Sequence, residues 1–481
     1  MKKFSIVLAL VLAVSLLTGC AGSDSPVADD SGVTQIVLDD SGIQITGGGA
    51  KAEGSVVTIA TVGTYSVSGS LRDGQVVVDT GEETVNVTLI LNGVDITNLT
   101  GPALQIRQAK NAHVQLAEGT ENKLTSGTEA DMAQNSDDSS GAALFAEDDL
   151  DIDGPGSLLV LGYINNGIAC KKDLDINGGN ITVLAANNGI RGNNSVDIKG
   201  GTISVSAGND GVKATNAKKE GKGTVAIRGG SLTVTAGGDG ISAETELTIS
   251  DGALFVSTDG DPEQGSSKAL KAQTGLVIEG GELRLSAIDH AIRSGAGVTV
   301  TGGTIDACST EGRAIAAHGD IVIEGGKLTL DAKKDGIETP GDITIHGGTM
   351  NLSAGDDGLQ AGEANSGRGT VTVAGGDVRI SAKGQAINAR GQIVLDGGTL
   401  IALGGSTKAP APTGSQAFMS VGWAVIGGNE VTAADGEGTV IASTVAQWPF
   451  KNILVSAPEL VPGETYTLTN GVSSTTVRCP E

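Results

Sequence analysis

The sequence predicts an all-β protein built as a right-handed parallel β-helix with a β-rich cap at each end. A Gly or Ala followed by Ile, Val or Leu recurs at intervals of 22 to 29 residues between residues 167 and 388. A Gly-Gly pair, once replaced by Asp-Gly, recurs about midway between these steps. The segments between these marks, such as residues 174–184, alternate apolar and polar side chains, which is the period of a strand. Repeats of this length indicate a solenoid.

Each coil is predicted to hold three short strands: one at the Gly-Ile step, one before the Gly pair and one after it. A single coil has no second sheet to cover its apolar side chains, so successive coils must stack. Ten regular coils at roughly 4.8 Å each predict a rod of about 48 Å. Residues at one phase of the repeat then lie above one another, and a column of aligned residues becomes a ladder in space.

The N-terminus has the pattern of a bacterial lipoprotein signal, which predicts a lipid-anchored protein on the outside of the bacterial cell membrane. Lys2 and Lys3 precede the apolar run 4–17, and small residues precede Cys20. We expect a signal peptide over 1–19, lipidation of Cys20 and a flexible tether over 20–32. The alternative is an ordinary signal peptide or membrane anchor with a cysteine there by chance.

The remaining chain divides into three parts by its periodicity. Residues 33–145 are β-rich without the 22-residue period and are predicted to form an N-terminal cap and irregular first coils, because an exposed solenoid end is a sheet edge that needs covering. Residues 146–404 form the regular β-helix. Residues 405–481 lose the period, contain Trp423 and Trp448, and read as a strand-rich C-terminal cap.

Charge and cysteine content exclude some functions. The formal net charge is -25, and removal of 1–19 takes away two lysines and no acid, which leaves -27. Such acidity disfavours nucleic acid as a partner and suits a surface that collects divalent cations.

The cysteines of the coils are too far apart to form a disulfide. Cys170 and Cys308 lie five coils apart, about 24 Å along the axis, so they are expected to be free. The periodicity gives no position for Cys479.

The residue before each Gly-Ile or Ala-Ile step forms a predicted polar ladder. Its members are Asn166, Asn188, Asp210, Asp239, Lys268, His290, Arg313, Asp335, Asp357 and Gln385. Calcium takes six to eight oxygen ligands, and stacked carboxylates such as Asp210 with Asp239, or Asp335 with Asp357, could share one ion. Further acids stand beside the ladder at Asp148, Asp149 and Asp356. The alternative is a turn role, because Asp-Gly and Asn-Gly are common turn dipeptides.

Two residues after each Gly or Ala lies a second outward column, which contains the basic residues Arg191, Lys213, Lys271 and Arg293. These four, the basic column, are predicted to hold the carboxylates of an acidic polymer. The alternative is that they only neutralise nearby aspartates. Neutral glycans usually need aromatic rings, and the coils offer mainly Tyr163 and Phe255.

The N-terminal motifs resemble those of a known family. The segments Gly63–Leu71, 89–98, 101–104 and 141–150, followed by the Asn-Asp-Gly coils, resemble the bacterial carbohydrate-binding β-helix proteins typified by a clostridial cell-surface protein. The resemblance implies a pectate-lyase-like fold, binding of cellulose and polygalacturonate without established lyase activity, and calcium as the cofactor. It implies calcium near Asp148, Asp149, Asp210, Asp239, Asp335 and Asp357. Residues 170–173 depart from the family pattern, and Asn166 and Asn188 lower the charge of the first rungs.

Three functions follow. The favoured one is a non-catalytic surface lipoprotein that binds acidic plant polysaccharide, polygalacturonate or pectin with cellulose as a further ligand, through a calcium-bearing face. The second is a calcium-dependent polysaccharide lyase in which Lys213 or Lys271 removes the proton beside the uronate carboxylate. The third is a structural or adhesive surface rod.

Overall fold

The structure is a computed structural model that describes residues 32–133, 139–260, 265–365, 367–408 and 410–481. The predicted signal peptide 1–19, Cys20 and all but the last residue of the tether lie outside these residues. Within the described ranges, no helix is long and apolar enough to cross a membrane.

The prediction of a parallel β-helix is confirmed. One side of the solenoid, the first face, is a sheet of fifteen short strands, each hydrogen-bonded to the equivalent strand of the next coil. All its pairings are parallel except the first, between Ala50–Glu53 and Val56–Ile59. Its strands in order are Ala50–Glu53, Val56–Ile59, Gln75–Asp79, Leu104–Gln108, Leu144–Ala146, Ile168–Cys170, Ile190–Gly192, Val212–Ala214, Ile241–Ala243, Leu270–Ala272, Ile292–Ser294, Ile315–Ala316, Ile337–Thr339, Leu359–Ala361 and Ile387–Ala389. On this face parallel pairing already begins at Val56, and on the adjoining sheet Val33–Leu38 pairs in parallel with Gly63–Leu71, both before the regular period of the sequence.

The other two sides belong to one continuous sheet, because two long strands, Val371–Ala382 and Ile393–Gly404, run through both. The second face lies before the Gly pair and contains Asn111–Leu116, Asp149–Asp153, Asp173–Ile176, Ser195–Ile198, Thr224–Ile227, Glu246–Ile249, Gly275–Ile278, Gly297–Val300, Ile321–Ile323 and Ile343–Ile345. The third face lies after it and contains Glu121–Ser126, Ser157–Gly162, Asn180–Ala185, Thr202–Ala207, Ser231–Ala236, Ala253–Thr258, Glu282–Ala287, Thr304–Ser309, Lys327–Ala332 and Thr349–Ala354.

The Gly pair marks the corner between the second and third faces. Its second glycine has a positive φ, for example 81° at Gly230, a conformation that costs other residues energy. A Cβ at Gly230 would also lie 2.7 Å from the carbonyl oxygen of Gly201 in the coil below. Both the turn and the close stacking of coils therefore require glycine here.

The core consists of stacked columns of aliphatic side chains from all three faces. Ile168, Ile190, Val212 and Ile241 succeed one another on the first face, and all are fully buried. Burial of each such side chain contributes about 1.5–3 kcal/mol. The stacking of coils, rather than any one coil, supplies this burial.

Both ends of the solenoid are closed by antiparallel pairing. The remaining N-terminal strands are Val33–Leu38, Gln44–Thr46, Gly63–Leu71 and Asn86–Asn98, and two 3₁₀ helices follow at Glu129–Ala133 and Ser139–Gly141. Val33–Leu38 pairs antiparallel with Gln44–Thr46. At the other end the strands are Phe418–Val425, Glu430–Ala434, Val440–Val445, Phe450–Ser456, Thr465–Thr469 and Ser474–Arg478. Phe450–Ser456 pairs antiparallel with the last coil strand, and a second apolar core forms over Ile401 and Leu403.

Candidate functional site: the polar ladder and the basic column

The strand register of the first face stacks the polar ladder as the repeat predicts. Ile190 pairs with Val212, and Val212 pairs with Ile241. The residues two positions before each of these, including Asp210 and Asp239, therefore lie on consecutive rungs. The same register places the basic column on adjacent rungs, with Arg191 beside Lys213 and Lys271 beside Arg293.

Ladder side chains accept a hydrogen bond from the backbone of the next coil. Asp210 Oδ1 accepts from the N–H of Asp239 at 2.7 Å, and Asp335 Oδ1 accepts from the N–H of Asp357 at 3.1 Å. His290 Nδ1 accepts from the N–H of Arg313 at 3.1 Å in the same way. Asp, Asn and neutral His all offer an acceptor at this position, which explains why these residue types alternate in the column. This role links one coil to the next and differs from the local turn role considered for Asp-Gly and Asn-Gly, since none of the described ladder residues has a positive φ.

The second carboxylate oxygen is paired with a base in three of the four ladder acids. Asp210 Oδ2 lies 2.7 Å from Lys213 Nζ, and Asp239 Oδ2 lies 2.8 Å from Lys271 Nζ. Asp335 Oδ2 lies 3.2 Å from Nε of Arg313, which also pairs with Glu338. The ladder acids are almost fully buried, so these pairs remove most of the repulsion between stacked carboxylates.

The C-terminal end of the ladder differs because it has an acceptor without a partner. Asp357 Oδ1 accepts from the N–H of Gln385 at 2.6 Å, and Asp357 Oδ2 accepts from Asn388 Nδ2. Asn388 is buried, and its Oδ1 has no hydrogen-bond partner among the described residues. Burial raises the pKa of Asp335 above its usual range. The hydrogen bond from the Asp357 N–H and the charge of Arg313 lower this pKa, whereas the negative charges of Asp356 and Asp357 raise it further.

Asp148 and Asp149 lie at the opposite end of the first-face strands from the ladder. Asp148 is buried, pairs with Lys172 and accepts a hydrogen bond from the N–H of Ala109 at 3.2 Å. Burial raises the pKa of Asp149. A hydrogen bond from the N–H of Asp173 lowers this pKa, and the negative charge of the Asp173 carboxylate raises it. The structure therefore does not bring these two acids together with Asp210 or Asp239.

The oxygen atoms along the ladder differ in how well they could bind calcium. At Asp210 and Asp239 each carboxylate already has an N–H donor and a lysine, which leaves too few free oxygens for an ion that takes six to eight. Within the residues that the structure describes, no group of three or more Asp, Glu, His or Cys side chains converges as a metal site. Asp335 and Asp357 are occupied in the same way, and the end that contains them differs only in the unpartnered Asn388 oxygen.

Arg293 is a cation of this surface that has no ion pair among the described residues. Its Nη2 donates to His318 Nε2 at 2.6 Å, and no described carboxylate lies within ion-pair distance of it. Burial and the nearby charge of Arg313 lower the pKa of Arg293, against a weaker attraction from Asp289. Arg191 lies in the same column, and Lys213 and Ser242 follow it on the next two coils. An anion beside Arg293 would relieve the repulsion between the guanidinium groups of Arg293 and Arg313.

The two lysines proposed for a lyase are both held by carboxylates. Burial alone would lower the pKa of Lys271, but Asp239, with Asp210 and Glu244, raises it above the usual range. A general base must lose its proton near neutral pH, so this shift has the wrong sign for catalysis. Lys213 is held by Asp210 in the same geometry.

The cysteines of the described chain are free. Cys170 and Cys479 are buried, and Cys308 is partly exposed on the third face. Burial raises the pKa of the Cys170 thiol to about 12, which keeps it unreactive. Cys20, the predicted lipidation site, lies outside the described residues.

Comparison with known proteins gives consistent results. The family model described as carbohydrate-binding domain-containing protein matches residues 53–312 and 308–447. A carbohydrate-binding domain-containing protein of Acetivibrio thermocellus is 36% identical over 190 residues, which are 38% of this chain and 65% of that protein. The match thus spans slightly less than two thirds of that relative. A solved gadolinium derivative of a polysaccharide lyase-like protein from C. thermocellum is 36% identical, with a TM-score of 0.44, over 47% of this chain and 92% of that chain.

The family model covers most of the β-helix and part of the C-terminal cap, well over half of the chain. The resemblance to a clostridial carbohydrate-binding family is confirmed at this level. This chain belongs to the carbohydrate-binding domain-containing proteins.

Proposed function

We propose that this protein is a non-catalytic binder of acidic plant polysaccharide, with polygalacturonate as its ligand and the surface around Arg293 as its site. One observation carries the proposal. Arg293 is half-buried beside Arg313 and has no described carboxylate partner, whereas Lys213 and Lys271 are each paired with an aspartate. A uronate carboxylate would supply the missing charge and two oxygens for a guanidinium fork.

Binding of polygalacturonate by isothermal titration calorimetry tests the proposal. Arg293→Ala removes a charge-assisted contact worth roughly 1.5–3 kcal/mol, so affinity should fall by about tenfold or more. Arg228→Ala is the matched control, because Arg228 is exposed and paired with Asp197 at 3.0 Å. Fully methyl-esterified pectin, which lacks the carboxylate charge, should bind more weakly than polygalacturonate. Equal affinities of the Arg293 and Arg228 variants would contradict the proposal.

Calcium is a separate proposal for the C-terminal end of the ladder. Asp335, Asp356, Asp357 and the Oδ1 of Asn388 are the oxygen ligands offered there, and calcium would have to replace the contacts that Asp335 and Asp357 already make with backbone N–H groups, Arg313 and Asn388. Bound there, it would neutralise carboxylates and offer a positive charge to a uronate. A ligand at a hundred times its Kd stabilises a protein by about 2.7 kcal/mol. Calcium should therefore raise the melting temperature of the chelated protein, and Asp356→Asn should reduce the rise. An unchanged melting temperature would rule calcium out.

Export and anchoring complete the proposal. We expect residues 1–19 to be removed and Cys20 to carry lipid, which would place the β-helix on the bacterial surface, where polysaccharide is met. Metabolic labelling with a radioactive fatty acid should mark the protein, and Cys20→Ser should abolish the label. Labelling that survives this substitution would exclude Cys20 as the anchor.

A further inference from the structure

His318 differs from the other histidines of the protein in the group that it contacts. His113, His290 and His346 each lie within 4.0 Å of a carboxylate oxygen. His318 Nε2 instead lies 2.6 Å from Nη2 of Arg293, and no carboxylate among the described residues lies within ion-pair distance of it. In a chain with a net charge of -25, this histidine is placed beside a cation.

The register of the first face holds His318 against Arg293. Arg293 pairs with Ala316 on the next coil, and His318 follows two residues later. The backbone N–H of His318 lies between two carbonyl oxygens of the coil before, 3.2 Å from that of Ser294 and 3.1 Å from that of Ala296. The ring therefore stands at the corner between the first and second faces, beside the guanidinium group and exposed to water.

The chemistry of this contact fixes the protonation state of His318. A guanidinium group has N–H donors and no acceptor, so Nε2 of His318 must be the acceptor. A ring nitrogen accepts only when it carries no proton, which means that His318 is neutral with its proton on Nδ1. The contact therefore exists only in the neutral form of this histidine.

Protonation of His318 would turn the contact into a repulsion. Two positive groups would then stand side by side, next to Arg313, and burial followed by the charge of Arg313 already lowers the pKa of Arg293. A carboxylate between Arg293 and protonated His318 would accept hydrogen bonds from both and remove the repulsion. Protonation and anion binding therefore favour each other, and this coupling is reciprocal.

The other charged groups near His318 are engaged in contacts of their own. Glu338 of the next coil pairs with Arg313. Asp320 and Asp342 are the acids of this turn and of the same turn on the next coil, and each accepts a backbone N–H, at 2.9 and 2.7 Å. The corresponding turn of the coil before, residues 295–297, consists of Gly and Ala and has no charged side chain. The charge that His318 contacts is therefore that of the guanidinium group.

We propose that His318 is a further binding residue of the Arg293 site and makes the binding of an anionic polysaccharide depend on pH. The inference rests on the proposed function and adds the proton as its effector. Acid would release the guanidinium group from the neutral ring and add a second positive group, so a uronate carboxylate would meet two cations in place of one. Carboxyl groups ordinarily stay ionised well below pH 6.5, near which a histidine ordinarily takes up its proton, so the ligand keeps its charge.

Calorimetry with polygalacturonate at pH 8 and pH 5.5 tests this proposal. Affinity of the native protein should rise about tenfold towards the lower pH, because protonated His318 supplies one more charge-assisted hydrogen bond. His318→Gln keeps a neutral acceptor for Arg293 at every pH, so its affinity should change by less than about twofold. His346→Gln is the matched control, since His346 is an exposed histidine of the second-to-third-face corner, and it should keep the native rise. His290 stays neutral in this range, because its pKa is about 4.

The number of protons taken up on binding tests the same coupling at a single pH. Calorimetry at pH 7 in two buffers of different ionisation enthalpy measures this number. The native protein should take up a fraction of a proton with each bound polygalacturonate segment, and His318→Gln should take up none. Equal uptake by the two proteins would overturn the proposal.

The outcomes separate this inference from the proposed function. If polygalacturonate binds through Arg293 but the native protein and His318→Gln show the same pH dependence, the inference is overturned and the proposed function stands. If polygalacturonate binds at neither pH, or if Arg293→Ala and Arg228→Ala bind it equally, the proposed function fails and the inference fails with it. Long-range hydrogen–nitrogen NMR of the ligand-free protein at pH 8 should show the His318 proton on Nδ1. A proton on Nε2 would overturn the inference whatever the ligand.

Discussion

The first and third faces share one repeat but differ in how their outward side chains are satisfied. On the first face, the ladder acids bond to the next coil and pair with bases, as Asp210 does with Asp239 N–H and Lys213. On the third face, the outward column changes type at almost every rung, from Phe255 to Arg284 to Asp306. The first-face column therefore repeats one set of contacts from coil to coil, whereas the arginines of the third-face column pair with acids of their own strands, as Arg284 does with Glu282 and Arg379 with Asp377. Repeated contacts between coils indicate a contribution to stability, and a break in them, as at Arg293, marks a group that a ligand could satisfy.

Removal of a ladder acid should give the largest loss of stability. Asp239 is 1% exposed, accepts from the N–H of Lys268 at 3.0 Å and pairs with Lys271. Asp239→Ala should lower the free energy of unfolding by about 3 kcal/mol, because it leaves the N–H of Lys268 and the partly buried ammonium group of Lys271 without a partner. Asp239→Asn should cost less because it keeps the acceptor.

Urea denaturation of both variants checks this expectation. Asp95→Ala is the control, since Asp95 pairs with Lys123 on the surface at 3.4 Å, and such pairs contribute about 0–1 kcal/mol. If the Asp239 and Asp95 substitutions cost the same, the ladder does not carry the stability assigned to it.

His290 should make the stability of the ladder depend on pH. Burial lowers the pKa of His290 from its ordinary 6.5 to about 4, with the charges of Arg313, Lys268 and Arg293 adding to the effect and that of Asp289 opposing it. Between these values the unfolded chain binds a proton that the folded chain does not, so stability falls as pH falls. The loss from pH 6.5 to 5 should be about 2 kcal/mol.

His290→Asn should remove this pH dependence and keep the fold, because Asn188 fills the same role four coils earlier in the ladder. Urea denaturation at pH 6.5 and 5 measures the effect, with His346→Asn as the exposed control. An unchanged slope in the His290 variant would show that His290 does not act as a neutral acceptor.

Substitution of Phe255 on the third face should affect stability least. The contact between Phe255 and Arg284 is a surface cation–π pair, which contributes about 0.5–1 kcal/mol. Phe255→Thr should therefore change the free energy of unfolding by at most about 1 kcal/mol. A loss as large as that of Asp239→Ala would remove the distinction between the two faces.

The repeat predicted much of this molecule because its period fixes which residues stack. Asp210 and Asp239 could be placed on adjacent rungs despite the insertion between them, since the Gly-Ile step sets the register. Neutralisation of these aspartates by the basic column was one of the two interpretations of the sequence, and it holds for Lys213 and Lys271. Which base pairs with which aspartate could not be predicted, because Asp239 pairs with Lys271 of the next coil and not with a base of its own coil. The recess between the third face and the C-terminal cap could not be predicted, because Trp448 and its neighbours belong to the cap, which has no repeat to place them.

The most direct test compares polygalacturonate binding by two variants of the first face. In Asp210→Asn with Lys213→Met, a pair that is already neutral loses both charges, and affinity should stay within about threefold of the native protein, with or without chelator, since this pair supplies no net charge to the ligand. In Arg293→Ala, the cation without a described carboxylate partner is lost, and affinity should fall about tenfold or more. The opposite order, with binding lost in the double variant and kept in Arg293→Ala, would contradict the claim that the ladder holds the fold and Arg293 the ligand.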